Sequence, residues 1–260
     1  RAVVCGGAHT LVVANGGELW SCGLGENGQL GQGDEDNQGL LGEVLLDDVV
    51  SASAGHWHSA AITKAGHLYT WGRNNHEQLG IFIPPDEEGN EVKSINIPRR
   101  VFALGEARIK QVSCGARHTL ALSEQGEVYS WGIGTHGALG LGTEASEALP
   151  CRVDALNKCG PIAAIHAGSE TSAAIGEDGR LWMWGYGAWR QLGQGDKENR
   201  LLPVLVPVPG AVKQVALGTF HTTIVTQSGE VFTCGVSHYA SLGLGDEVPA
   251  SINAPVKIEH

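Results

Sequence analysis

Positive charge is scarce in this chain: 17 Lys and Arg stand against 28 Asp and Glu in 260 residues, a formal net charge of −11 at pH 7. A field of that sign repels phosphate backbones, which removes nucleic acid from the expected partners. Long apolar runs are missing as well. None nears the ~20 residues that cross a bilayer, and the first residues carry no signal-peptide pattern. The expected setting is therefore intracellular, cytoplasmic or nuclear, without membrane insertion. Cysteine is present six times but never in Cys-x-x-Cys spacing, so a zinc site is not expected and the usage suits a reducing compartment. No Ser/His/Asp set, paired-carboxylate site or metal triad stands out. No enzyme activity of its own, catalytic residue, metal or cofactor is expected.

What the chain does contain is one 26-residue module five times over, at 6–31, 55–80, 115–140, 168–193 and 218–243. Each copy opens on a Gly-x-x-His-like corner and closes on Leu-Gly. A second glycine recurs inside every copy at Gly17, Gly66, Gly126, Gly179 and Gly229, and a third at Gly23, Gly72, Gly132, Gly185 and Gly235. Only the connectors vary in length, which marks a repeat architecture. Within a module the period is two. His118 to Ser123 reads as one strand, Gly126 supplies the positive φ of a tight turn, and Glu127 to Gly132 runs back as its hairpin partner. Ile109 to Val112 and the proline-containing Pro98 to Val101 add flanking strands. Four strands in about 52 residues are the dimensions of a β-propeller blade. The fold class expected is all-β, a β-propeller of four-stranded antiparallel blades, with residues 1–260 forming a single propeller domain.

The run Cys114-Gly115-Ala116-Arg117-His118-Thr119-Leu120-Ala121-Leu122, followed by Gly126-Glu127-Val128-Tyr129-Ser130-Trp131-Gly132 and by Gly137-Ala138-Leu139-Gly140-Leu141-Gly142, resembles one repeat of the regulator of chromosome condensation family. The resemblance extends to all five modules. Domains of that family usually have seven blades, and five modules are visible here. Arg1 already sits in a strand pattern and Met183 is the only methionine, so the chain reads as part of a longer polypeptide or as an unusually small propeller.

Several patterns that suggest chemistry dissolve in the repeat register. Gly23-Leu24-Gly25-Glu26-Asn27-Gly28 and Gly132-Ile133-Gly134-Thr135-His136-Gly137 match a dinucleotide fingerprint, yet a strand rather than a helix is expected after each. His9, His58, His118 and His221 recur at one module position, as a blade-corner hydrogen bond would and a catalytic residue would not. Thr171 replaces the histidine in the fourth module, where its hydroxyl is expected to stand in partly. Cys22 and Cys234 occupy the place of Trp71, Trp131 and Trp184, while Cys5 and Cys114 occupy that of Ala54, Ala167 and Leu217. All four are expected to be buried packing substitutes.

Function is then sought on the surface. Strands alternate in direction, so the corner after the first strand and the loop after the third emerge on one face. Two variable rings share that rim. Ala8, Trp57, Arg117, Glu170 and Phe220 form one; Asn27, His76, His136, Trp189 and Tyr239 form the other. Trp57, Arg117, Phe220, His76, His136, Trp189 and Tyr239 are the candidate partner-binding residues, because aromatics and Arg are enriched at binding hot spots. A long connector with Phe82, Pro84, Pro85, Asp86, Glu87 and Glu88 is expected to project near the same face, either as a partner-engaging loop or as a tolerated insertion. The reading is a non-catalytic protein-interaction propeller whose partner is a protein, as a docking module or an assembly subunit. The resemblance implies an alternative, a guanine nucleotide exchange factor for a Ran-type small GTPase, with the acidic loop as its wedge. Light sensing as in the plant ultraviolet-B receptor, similar in repeat type, calls for repeated Gly-Trp-Arg-His-Thr corners, and these corners hold one Trp and one Arg in different modules.

Overall fold

Short period-two segments separated by glycine turns fold as antiparallel hairpins in the computed structural model, which describes residues 2–245 and 249–259. Arg1, whose place in a strand was expected from the sequence, lies outside the described residues. The strands gather into five four-stranded antiparallel sheets, each made of consecutive strands. The first blade comprises β1 (Ala2–Cys5), β2 (His9–Val13), β3 (Leu19–Gly23) and β4 (Gln38–Val44). The second comprises β5 (Val49–Ala54), β6 (His58–Thr63), β7 (Leu68–Arg73) and β8 (Ser94–Arg100), and the third β9 (Ile109–Cys114), β10 (His118–Ser123), β11 (Val128–Gly132) and β12 (Glu147–Arg152). In the fourth are β13 (Ile162–Ala167), β14 (Thr171–Gly176), β15 (Leu181–Gly185) and β16 (Arg200–Leu205), and in the fifth β17 (Val212–Leu217), β18 (His221–Thr226), β19 (Val231–Val236) and β20 (Ser251–Lys257). The chain falls into two compact units. One holds Arg1–Gln125, Tyr129–Ile133 and Ser146–Arg152; the other holds Gly126–Val128, Gly134–Ala145 and Val153–His260.

The strand containing Pro98 has a different owner from the one the sequence suggested. Arg99 and Arg100 pair with Thr70 and Tyr69 of β7, so β8 closes the second blade instead of opening the third. Proline is tolerated there because an outer strand leaves one row of backbone groups unpaired.

Each unit's core lies between neighbouring blades. In the first unit Leu11, Val13, Leu19 and Val44 of blade one meet Val49, Ala52, Ala61 and Trp71 of blade two. Ala60, Ile62 and Leu68 of blade two then meet Ile109, Val112, Ala121 and Trp131 of blade three. In the second unit Ala173, Ile175, Leu181 and Met183 meet Val212, Val215, Ile224 and Phe232. Burying one such side chain contributes about 1.5–3 kcal/mol. Two glycine positions make these interfaces possible. The third-strand glycine, Gly72 at φ +100, has Trp57 O only 2.7 Å from where a Cβ would stand. The closing glycine, Gly80, lies against the Trp131 indole, whose Nε1 would be 2.5 Å from a Cβ. The Leu-Gly signature is thus the seat for the next module's tryptophan.

The cysteines divide. Cys114 and Cys234 are buried, and burial pushes both thiols up to about 12. Cys5 is exposed and Cys22 half-buried, contrary to the expectation that all four pack inside. Trp71, Trp131, Trp184 and Cys234 each lie against the Leu-Gly loop of the module before them, whereas Cys5 and Cys22 belong to the first module. Among the described residues no helix is long and apolar enough to cross a membrane. Nor does any group of three or more His, Cys, Asp or Glu come together there in a way that could hold a metal.

Candidate protein-docking face

In every blade the corner and the third-strand loop are tied together at one end. The residue after the third-strand glycine donates its N–H to the carbonyl of the variable corner residue: Leu24 to Ala8 at 2.8 Å, Arg73 to Trp57 at 2.9 Å, Ile133 to Arg117 at 3.0 Å, Tyr186 to Glu170 at 3.0 Å and Val236 to Phe220 at 2.8 Å. Both variable rings therefore stand on the same edge of their blades, held by backbone that the side chains do not influence.

Directly beneath this edge, blades are stapled by a relay. His58 Nε2 donates to Thr119 Oγ1 at 2.9 Å, and that hydroxyl donates to Gln78 O at 2.8 Å. The Trp131 indole N–H reaches the same carbonyl at 2.9 Å. His9, Ser59, Gln29 and Trp71 repeat the arrangement one blade earlier, at 2.8, 2.7 and 3.0 Å. In the second unit Ser172 and Trp184 converge on Ala138 O, and Thr222 and Cys234 on Gln191 O. Burial holds these histidines neutral: His9 and His118 are lowered to about 4. His58 is lowered to about 3, by burial first and then by His118 and His9. Their chemistry is structural, since a group that stays neutral and enclosed offers no proton to solvent. His221 differs in being half-buried. Thr171 does not mimic the missing histidine. Its Oγ1 is buried and has no hydrogen-bond partner among the described residues, because the hydroxyl is too short to span to the next blade.

Above the staple some loop residues meet the corner residue of the following module. In the first unit His76 lies near Arg117; its pKa is lowered by partial burial first and then by the Arg117 and Arg73 guanidiniums. Trp57 instead stacks on its neighbour His56, with ring centres 4.8 Å apart. In the second unit His136 Nδ1 donates to Glu170 Oε2 at 3.0 Å and its ring lies 4.5 Å from Tyr186. Trp189 meets Phe220 edge-on at 5.4 Å, and Phe220 meets His238 at 5.0 Å. Tyr239 is fully exposed and Trp189 is 38% exposed. Tyr239 and Ala240 both adopt left-handed backbone, at φ 53 and 58. Sequence reasoning missed His56, Tyr186 and His238. Their positions beside the ring members, Tyr186 directly after a third-strand glycine and His238 directly before Tyr239, were the available signal.

The insertion loop is ordered by its own side chain. The Asp86 carboxylate accepts from Asn90 N at 2.8 Å and Glu88 N at 3.0 Å, and these bonds hold its pKa below the usual carboxylate range. Phe82, Pro84, Pro85, Asp86, Glu87 and Glu88 are all exposed.

Antiparallel blades built from one glycine-punctuated module, stapled at one edge and variable above it, define a β-propeller repeat protein. The family model of the RCC1-like domain matches residues 1–260, and the chain belongs to that family. It is 32% identical over 253 residues to the Ultraviolet-B receptor UVR8 of Arabidopsis thaliana, covering 95% of this chain and 56% of that protein. To the E3 ubiquitin-protein ligase HERC2 of Homo sapiens it is 33% identical over 251 residues, covering 94% of this chain and 5% of that protein. The chain thus spans about half the length of the first relative and a small part of the second. Among solved structures, human WBSCR16 superposes with a TM-score of 0.85 at 22% identity, covering 99% of this chain and 66% of that one. Yeast RCC1 (Prp20), in its complex with Kap60, gives 0.82 at 23% identity, covering 98% and 63%. These two share the fold.

Proposed function

We propose that this chain is a non-catalytic protein-docking module that engages its partner through the loop edge of its blades, with the second unit's cluster of Trp189, Phe220, His238 and Tyr239 as the anchor. One observation carries the reading: an edge-on aromatic set, held by a rigid backbone tie, ends in a fully exposed tyrosine. Preorganised aromatics lose little entropy on binding and dominate hot spots. A recruiting domain in a larger protein fits the same chemistry.

Crosslinking mass spectrometry in cell extract tests it by identifying both the partner and the residues it touches. Crosslinks clustering next to 186–191 and 236–241, lost in a folded Trp189→Glu/Tyr239→Glu variant, are the expected result. A partner retained by that variant refutes the proposal. Nucleotide exchange on a Ran-type GTPase rests on family resemblance, with no observation of its own behind it. The corner residues do not favour photoreception, since they hold one Trp and one Arg, Trp57 and Arg117, in different modules.

A further inference from the structure

The first unit holds a second surface, distinct from the loop edge. The base of the insertion loop, the outer strand β8 and the short helical turn Phe102–Leu104 line an open groove of about 510 Å³. Its walls are apolar. Phe82 is 85% exposed, Phe102 is 74% exposed and Leu149 is 44% exposed, and Ile83 and Ile95 complete the floor. Large aromatic surfaces left in water around one hollow are rare on proteins that bind nothing there. Arg99 and Arg100, consecutive on β8, also line it. Arg100 lies 5.0 Å over the Phe102 ring, Arg99 is exposed, and neither has a carboxylate partner among the described residues. In a chain with 17 cations and 28 anions, two adjacent unpaired arginines beside an apolar hollow are a local reversal of the overall field. Beyond the lining residue Pro84 the chain continues into the exposed acids Asp86, Glu87 and Glu88, of which Asp86 is committed to its own turn.

We infer that this groove binds a short linear peptide that places one large hydrophobic side chain, Leu, Ile or Phe, in the hollow and sets Asp or Glu residues on one side of it against Arg99 and Arg100. Charge complementarity selects that occupant. Net repulsion by the whole chain is screened within about 8–10 Å at physiological salt, so the adjacent guanidiniums dominate at contact distance. The acids that follow Pro84 in the chain repel a second run of carboxylates on the peptide. Arg is the cation suited to the task, because its planar fork meets a carboxylate bidentately while its face stays on Phe102.

Random-peptide display against the full 260-residue chain, followed by fluorescence anisotropy with the selected peptides, tests the inference. The expected consensus is a hydrophobic anchor flanked on one side by Asp or Glu, with affinity that falls as salt rises. Arg99→Glu/Arg100→Glu should weaken binding on the order of tenfold or more, since attraction becomes repulsion. Phe82→Ser should weaken it too, and Arg99→Lys/Arg100→Lys should retain most of it. Trp189→Ala, on the loop edge, should leave it unchanged, so this site and the docking face fail or stand separately. Unchanged melting of each variant shows that it is folded. No enriched peptide, a consensus without acids, binding indifferent to Arg99→Glu/Arg100→Glu, or binding lost in Trp189→Ala each overturns the inference.

Discussion

Acidification from pH 7 to pH 5 should destabilise this protein steeply, and the buried relay histidines set the magnitude. His9, His58 and His118 are 3%, 0% and 0% exposed, with folded-state pKa values of about 4, about 3 and about 4. An unfolded histidine titrates near 6.5, so below that pH the unfolded chain binds protons that the native chain refuses. The stability that these groups contribute is complete above pH 6.5 and is lost as pH falls from there toward the folded values. At pH 5 each site is about 1.5 units below the unfolded pKa and still above its own, a loss of about 2 kcal/mol per histidine. Three sites together cost about 6 kcal/mol, comparable with the whole stability of an ordinary domain, about 5–15 kcal/mol. His76 and His166, also lowered by burial first, act in the same direction. Lowered carboxylates such as Asp178 and Asp196 lose their contribution only at more acidic pH, outside this window. Urea unfolding at both pH values measures the loss. His58→Gln, less stable at pH 7, should show a pH-dependent loss smaller by about 2 kcal/mol. An unfolding midpoint that does not move between pH 7 and pH 5 refutes the reasoning, because the histidines would then be free to take up protons in the native state.

Thr171→Val should stabilise the protein by about 1 kcal/mol in urea unfolding, since it replaces a buried hydroxyl lacking a partner with a methyl of the same shape. Thr119→Val should cost about 1–3 kcal/mol, because it strands the His58 N–H in a buried site; equal stability would remove the relay from the account. Tyr239→Ala should change stability by less than about 0.5 kcal/mol, the side chain being fully exposed, while crosslinking to a partner drops. Adding the protein to nucleotide-loaded Ran should leave release at its intrinsic rate, measured by fluorescent-nucleotide dissociation; acceleration would reinstate the exchange reading.

The blades were legible because their signals are side-chain letters under backbone constraint. A glycine at φ +100 facing a carbonyl tolerates no substitute, so Gly72 and its equivalents stay in register, and the period-two runs between them have one way to fold. The rim followed from strand direction alone. The relay was half legible. Its histidines recur as letters, but its common acceptors are the main-chain carbonyls of Gln29, Gln78, Ala138 and Gln191, which no sequence pattern records. The ownership of β8 was hidden because a connector with Pro98 pairs equally well in either direction until the register with Tyr69 and Thr70 is known. The groove was not legible at all. It is built from residues of the connectors, Phe82, Arg99, Phe102 and Leu149, which share no module position and meet only through folding.

Adjacent corner residues divide two tasks, and the fourth module shows that the division is physical. A strand turns successive side chains to opposite sides, so the last corner residue points away from the staple while the first strand residue points into it. In the second module these are Trp57, on the rim, and His58, fully buried. Change at one position then leaves the other in place. Thr171 has lost the histidine's reach across to the next blade, leaving a buried hydroxyl without a partner. Yet Glu170, its immediate neighbour, still meets His136 at 3.0 Å, and the Tyr186 N–H still holds the Glu170 carbonyl at 3.0 Å. The rim geometry therefore does not depend on the histidine beneath it. It depends on the backbone tie at the third-strand glycine, so rim residues are free to vary while every blade keeps one shape.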